Sequence, residues 1–406
     1  MKVAIISIGN ELLNGKTVNS NASYIGGKLY EIGIVVEEIF TIRDEDDAIR
    51  NTLAEAVAKF DAIVITGGLG PTHDDITKKN VAAFFNSPLR FHEVVWERIE
   101  QRFRRRGKEI PVINREQAFF PEKARMIDNP VGSAPGMHFE ENGKHVFVLP
   151  GVPKEMQAMI DGYVVPFLQK AAHLPPIRVH LYRTTAIAES NIYERCKELF
   201  QRYPDYEIAF LPKITGVDVR IADRTSGDAY PAFEKAFLDI VGKYVYARGN
   251  REIEEVIGEL LRQQQKTLAV AESCTGGLVQ NRITNVPGSS DYFMGGMVTY
   301  SNESKIQHLG VPREVLERYG AVSEEVAREM AAGVRSALST DIGISTTGIA
   351  GPGGATPAKP VGLIYIGIAT AEKDFARRFV FGKDRLINKQ QGAMAALELL
   401  RRELTG

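Results

Sequence analysis

A chain of 406 residues is too long for one ordinary hydrophobic core and points to two or three domains. Its 50 Lys and Arg nearly cancel its 51 Asp and Glu, which gives no reason to expect a polybasic nucleic-acid or membrane-surface protein and leaves small charged substrates open. Cys196 and Cys274 are far apart and form no C-x-x-C, which argues against a disulfide framework or structural zinc site and fits a reducing cytoplasm.

The apolar run Val3–Ile8 stops at Gly9, without the longer apolar segment and cleavage site of a signal peptide, and reads as a first strand. No window approaches the roughly 18 apolar residues of a membrane span. Strand-like runs at 3–8, 34–42, 62–66 and 145–149 alternate with helical stretches at 46–59 and 93–105. That alternation predicts a parallel-rich sheet wrapped by helices, with ligands at the carboxyl ends of strands. Two loops leave such ends. GNELLNG at 9–15 carries Glu11, and TGGLGPTHDDIT at 66–77 carries Gly67, Gly68, Gly70, Thr72, Asp74 and Asp75. The glycines let backbone N–H groups approach an anion, and the aspartates can hold a hard cation. The same aspartates could instead cap a helix beginning near Ile76, and His73 could be a metal ligand or a turn cap. Neither a Walker nor a Rossmann spacing is present.

The basic run Arg98, Arg102, Arg104, Arg105, Arg106 and Lys108 is interleaved with Glu97, Glu100 and Glu109 and reads as a solvated helix face. Pro175-Pro176 marks a boundary. Beyond it, strand-like 178–182 and 217–221 with helices at 189–202 and 230–241 predict a small α+β module whose aromatic residues Tyr182, Tyr193, Phe233 and Phe237 fill a core. It lacks the G-x-x-G clamp of an RNA-binding module, so a nucleic-acid partner is not expected. From Arg251 the α/β alternation returns, with strands near Leu268, Met297, Ile342, Ile364 and Phe379 and a last helix at 384–404. The expected fold class is α/β: two three-layer domains with parallel-rich sheets, at 1–172 and 251–406, joined by the module at 175–249. In the last domain AESCTGG at 271–277 follows a strand-like run and precedes a helical stretch at 278–283. Ser273 is thereby delivered to a glycine-rich turn, with the free N–H groups and positive dipole end of the next helix aimed at it.

GNELLNG, TGGLGPTHDDIT, NREQA at 114–118, APGM at 134–137 and LPGVPKEM at 149–156 occur in that order. Together with AESCTGG, VTYSNESK at 298–305 and the glycine-rich 346–354, they resemble the CinA family over nearly the whole chain. The resemblance implies a first domain similar to the molybdopterin-binding fold, with Asp75 at the pterin or nucleotide site. It implies a metal-dependent ADP-ribose pyrophosphatase there, giving AMP and ribose 5-phosphate. Asp75, Asp74 and Glu11 are the candidates for metal ligand or base. The metal would be Mg, Mn or Co, with a monovalent cation as a further candidate. Gly67, Gly68, Gly70, Thr72, Asn114 and Gly151 would bind the nucleotide. The middle module resembles a KH-like domain, and a cytoplasmic homodimer is expected. The last domain resembles the PncC-type nicotinamide-nucleotide amidase, which needs no cofactor and converts nicotinamide mononucleotide to nicotinic acid mononucleotide and ammonia.

Amide hydrolysis needs a nucleophile, a base and donors for the oxyanion. Ser273 fits the first. A Ser-His-Asp triad is poorly supported, because of seven histidines only His308 falls in this domain and the motif is not G-x-S-x-G. Lys305, in a polar turn past a strand, is the better base if burial lowers its pKa, with Tyr300 as relay. Cys274 is a rival nucleophile at a helix start. Glu272 either polarises the site or is favoured there by the helix dipole alone. Backbone groups of the turn through Thr275, Gly276 and Gly277 would supply the oxyanion donors. Thr347, Gly348 and Gly351 would hold the ribose phosphate or line the ring pocket. Arg385 resembles the family's phosphate-contacting arginine, and Lys389 stands where the family often carries a second one. The competing reading is a pterin- or nucleotide-binding protein of competence or damage responses that acts through a protein partner.

Overall fold

The computed structural model describes residues 1–70, 76–105, 107, 109–172, 177–225 and 229–406, without the side chains of 105 and 112. The chain forms two compact units, Met1–Arg178 and Val179–Gly406.

In the first unit a six-stranded sheet runs in the order Val36–Ile42, Val3–Ile8, Ala62–Thr66, Lys144–Leu149, Gly136–Glu141, Arg125–Ile127. The first four strands are parallel and the last two antiparallel. Val3–Ile8 and Ala62–Thr66 are buried at every position, as a sheet covered on both faces requires. Alternation along each strand sends Ala4, Ile6, Ile63 and Ile65 into one core with Ile49 and Leu53 of the helix Asp46–Lys59. Val3, Ile5, Ala62 and Val64 enter the other, with Ile25 and Leu29 of Ser20–Glu31 and Met156 of Pro153–Met159. The register places Ser7 beside Thr66 and Thr66 beside Leu149, so the loops that follow these three strands open at one edge. On the helix Glu93–Arg105, Arg98 pairs with Asp128 and Arg104 with Glu100, in keeping with a solvated face.

The second unit holds two sheets. A four-stranded one runs Tyr206–Lys213, Gly216–Asp223, Arg178–Thr184, Val245–Arg248 and is backed by Glu189–Arg202 and Tyr230–Val241. Tyr182, Phe233 and Phe237 are in its core, whereas Tyr193 is 53% exposed, a correction that follows from its place on the outer face of its helix. The five-stranded sheet runs Phe293–Val298, Leu268–Glu272, Ile342–Gly348, Leu363–Ala369, Asp374–Val380, the first three parallel and the rest antiparallel. One face packs on Ile253–Gln263 and Arg385–Thr405, the other on Glu324–Ala337. Buried Arg183 ties the module to this layer. Its guanidinium donates to Asp218 (3.2 Å) and to both oxygens of Glu252 (2.8 and 3.1 Å), which is the N-cap of Ile253–Gln263. Among the described residues no helix is long and apolar enough to cross a membrane.

Candidate active sites

Ser273 follows directly on the buried strand Leu268–Glu272, and its N–H continues the sheet by donating to the Thr346 carbonyl at 2.9 Å. The next residues turn sharply, through Gly276 at φ 63° and Gly277 at φ 94°, into the helix Leu278–Thr284. What happens at that helix differs from expectation. The carboxylate of Glu272, 0% exposed, accepts from the N–H groups of Gly277 (2.9 Å), Val279 (3.1 Å) and Gln280 (2.9 Å). The helix end therefore faces Glu272 and not Ser273. Glu272 positions the turn, and its oxygens are committed to doing so. The N–H groups left for an oxyanion are those of Cys274, Thr275 and Gly276, which have no acceptor on another residue among the described residues.

Lys305 lies on the helix Asn302–Leu309 and not in a polar turn. Ser301 caps that helix by accepting from the Ser304 N–H at 3.0 Å. The cap sends the Lys305 side chain back under the sheet, where it is 1% exposed and its Nζ lies 3.2 Å from Ser273 Oγ. It also donates to the carbonyls of Thr299 (2.8 Å), Tyr300 (3.4 Å) and Ser301 (3.5 Å). Burial pulls the amine pKa from 10.5 down to about 8. A buried serine beside a buried, readily deprotonated lysine is a nucleophile with its base.

Tyr300 is 63% exposed and meets Lys305 only through its backbone carbonyl, so the relay expectation is corrected. Its hydroxyl accepts from Arg385 at 3.0 Å, and Arg385 also donates to the Gly351 carbonyl at 2.7 Å. Lys389 stands over the turn: a Cβ on Gly276 would lie 3.4 Å from its Nζ. It has no carboxylate partner among the described residues. Cys274 is part of the core, and burial pushes its thiol pKa up to about 12, which overrides any lowering by the helix start and corrects the rival reading. Thr275 is buried and shares a 2.7 Å hydrogen bond with Thr346, while the Thr347 hydroxyl donates to the Ala321 carbonyl at 2.7 Å. Both hydroxyls are thus engaged within the protein. Gly348 leaves no room for a side chain, since a Cβ there would meet the Leu363 carbonyl at 2.5 Å. Sequence reasoning passed over Thr299, whose carbonyl holds Lys305 and whose buried hydroxyl has no partner, and Asn388, which donates to the carbonyls of Ala350 and Gly382. Thr299 lies inside the run VTYSNESK but acts through its backbone carbonyl, which residue type does not reveal, and Asn388 sits inside the last helix, where an Asn carries no capping signal.

In the first unit the grouped strand ends surround a cleft of about 600 Å³ lined by Glu11, Asp44, Gly67, Gly68, Gly70, Gln117, Ser133, Gly151 and Glu155. Gly67 has φ 109°, and a Cβ there would stand 2.2 Å from the Ile8 carbonyl. Gly151 packs against Gly67, and its carbonyl accepts from the Asn21 amide at 2.8 Å. Asn114 is outside this lining and donates to the Pro111 carbonyl at 3.4 Å; Gln117, one 3-10 turn later, lines the cleft instead. Thr72, His73, Asp74 and Asp75 lie outside the described residues. Of the expected metal ligands only Glu11 is described. Asp44 and Glu155 also line the cleft, but among the described residues they and Glu11 do not converge on one metal position. Two further residues went unforeseen. Thr77 is buried against Gly68 with no partner for its hydroxyl among the described residues, and Lys78 donates to the Glu116 carbonyl at 2.6 Å, its pKa lowered by burial to about 8.

Fold and sites together define a class: an α/β protein with a glycine-lined cleft on a molybdopterin-binding-like domain and a separate serine–lysine pair on a second sheet. Residues 4–170 match the model of a probable molybdopterin binding domain, 180–247 that of the damage-inducible protein CinA KH domain, and 250–404 that of the CinA C-terminal domain. A CinA-like protein of Chloroherpeton thalassium is 46% identical over 418 residues, covering 99% of each chain. One of Salinibacter ruber is 40% identical over 411 residues, covering 100% of each. The chain belongs to the CinA family. A solved structure described as the protein CinA with unknown function, from Thermoplasma acidophilum, is 38% identical and covers 40% of this chain and 94% of that one, with a TM-score of 0.37.

Proposed function

We propose that the second unit hydrolyses the carboxamide of nicotinamide mononucleotide, giving nicotinic acid mononucleotide and ammonia. One observation carries the reading: Lys305 Nζ lies 3.2 Å from Ser273 Oγ in a site from which water is largely excluded. Neutral Lys305 takes the hydroxyl proton as Ser273 Oγ attacks the amide carbon. The N–H groups of Cys274, Thr275 and Gly276 receive the oxyanion, each such donor being worth about 3 kcal/mol. Lys305 returns the proton to the departing nitrogen, and the acyl ester on Ser273 is hydrolysed by a water that gives a proton to the same amine, which passes it to Ser273 Oγ as the acid leaves. Arg385 and Lys389 supply the cationic rim for the substrate phosphate; the lysine holds it as a point charge without bidentate geometry. The test is ammonia release from nicotinamide mononucleotide by the wild type and by Ser273→Ala. Full activity in the variant removes the nucleophile.

For the first unit we infer cleavage of the pyrophosphate of ADP-ribose to AMP and ribose 5-phosphate. A divalent ion held by Glu11 together with the expected ligands Asp74 and Asp75 would neutralise the pyrophosphate charge and lower the pKa of a bound water. The chain's own part is to orient: the Gly67–Gly68 backbone can approach phosphate closely, and Lys78 adds charge next to the loop. AMP formation with and without divalent metal, and with Glu11→Gln, tests this. Unchanged metal-independent turnover rejects it.

A further inference from the structure

The hairpin of Gly136–Glu141 and Lys144–Leu149 carries a cluster that neither site uses. Its turn is Asn142-Gly143, both with positive φ, and its register sets Glu140 opposite His145 and His138 opposite Phe147. Because strand side chains alternate between faces, His138, Glu140 and His145 project from one face. His138 is 0% exposed, stacked on Phe147 with ring centroids 4.3 Å apart. Its Nδ1 is 3.1 Å from the Tyr163 hydroxyl and its Nε2 is 3.2 Å from His145 Nδ1. One ligand atom from each of the three residues lies within 4.8 Å of the others. A depression of about 300 Å³, bordered by Lys123, Arg125 and Glu141, leads to them from solvent.

We propose that His138, Glu140 and His145 form a binding site for a divalent transition-metal ion of the zinc class. Metal–nitrogen bonds of about 2.0–2.1 Å at a tetrahedral centre set two ligand nitrogens about 3.3 Å apart. The two imidazole nitrogens already stand at that separation. In the metal-bound form His138 Nδ1–H would donate to the Tyr163 oxygen 3.1 Å away, leaving the Nε2 lone pair for the ion, the outer-shell arrangement usual for a metal-bound histidine. Without an ion the same 3.2 Å contact is a hydrogen bond in which one imidazole donates to the other, and the ion would take the place of that proton. Glu140 adds the negative charge, and two imidazoles with one carboxylate select zinc-class ions over magnesium or calcium. The fourth position opens on the depression. One opposing group is built in: Arg125, 3.1 Å from Glu140, must release the carboxylate when an ion enters.

The experiment is a Zn²⁺ titration of the full-length protein by calorimetry, with circular dichroism to verify folding of each variant. The wild type is expected to bind one more zinc ion than His145→Gln. Glu140→Gln, at an exposed position, should bind that ion at least about tenfold more weakly. Arg125→Gln, also exposed, should bind it more tightly, because it frees Glu140 and removes a positive charge. Equal stoichiometry and affinity in wild type and His145→Gln would overturn the site and leave a pair of imidazoles sharing a proton. An affinity unmoved by Arg125→Gln would overturn the place of Glu140 in it.

Discussion

The hydrogens on Lys305 decide what its pocket accepts. A neutral amine has two N–H bonds and one lone pair: the hydrogens serve the carbonyls of Thr299 and Tyr300, and the lone pair faces the Ser273 hydroxyl. Activity should therefore rise with pH through an apparent pKa of about 8. Lys305→Met should lower kcat by about 10² to 10⁴, the range for loss of a positioned base, and abolish that rise. The same shift bears on stability. A lysine whose pKa falls from 10.5 to about 8 on folding costs the folded state most below pH 8, and that cost is relieved as pH climbs toward 10.5. Relative to Lys305→Met, the wild type should gain about 3 kcal/mol across that window, read from urea unfolding of both proteins at matched pH.

Between Ser273 and the helix Leu278–Thr284 the element that matters is a buried carboxylate closing a loop. Glu272→Gln keeps the shape but removes the charge from three N–H contacts, so the second unit should lose about 2–3 kcal/mol and melt several degrees lower, with kcat falling more than KM rises. Had Glu272 acted on substrate, activity would fall with the melting point unmoved. In the first unit Gly67→Ala would force a side chain against the Ile8 carbonyl in a left-handed conformation. That variant should lose AMP formation and retain ammonia release. These elements also show what could be read beforehand. The runs Val3–Ile8 and Ala62–Thr66 were legible because a strand covered on both faces is apolar throughout. Ser273 was legible as a residue type at a strand end, and of the two readings of Glu272 the carboxylate at a helix N-terminus is the one its three N–H contacts match; the place of Lys305 on a helix was not legible, because it depends on the Ser301 cap. The pairing of His138 with His145 is set by register across an Asn-Gly turn, a hairpin signal that was present at 142–143 and went unused.

For the whole molecule, the division at Arg178 assigns the two proposed activities to different compact units, which should unfold as separate transitions. In calorimetry, nicotinamide mononucleotide should raise only the transition of the second unit and ADP-ribose only that of the first. At a hundredfold excess over Kd each should add about 2.7 kcal/mol. A single transition moved by both ligands would count against this division. The KH-like module is bound into the second body through Arg183, so Arg183→Ala, which removes the contacts to Asp218 and Glu252 but leaves Asp218 paired with Lys213, should cost about 1–3 kcal/mol there and leave the first transition in place.

Proton release from an amine absorbs much heat, whereas that from a carboxylic acid absorbs almost none. Warming therefore enlarges the share of Lys305 that is already unprotonated, in addition to speeding the step that consumes it. Turnover at neutral pH should climb more steeply with temperature than turnover at pH 10, and the two Arrhenius slopes should differ by the ionisation enthalpy of a single side chain.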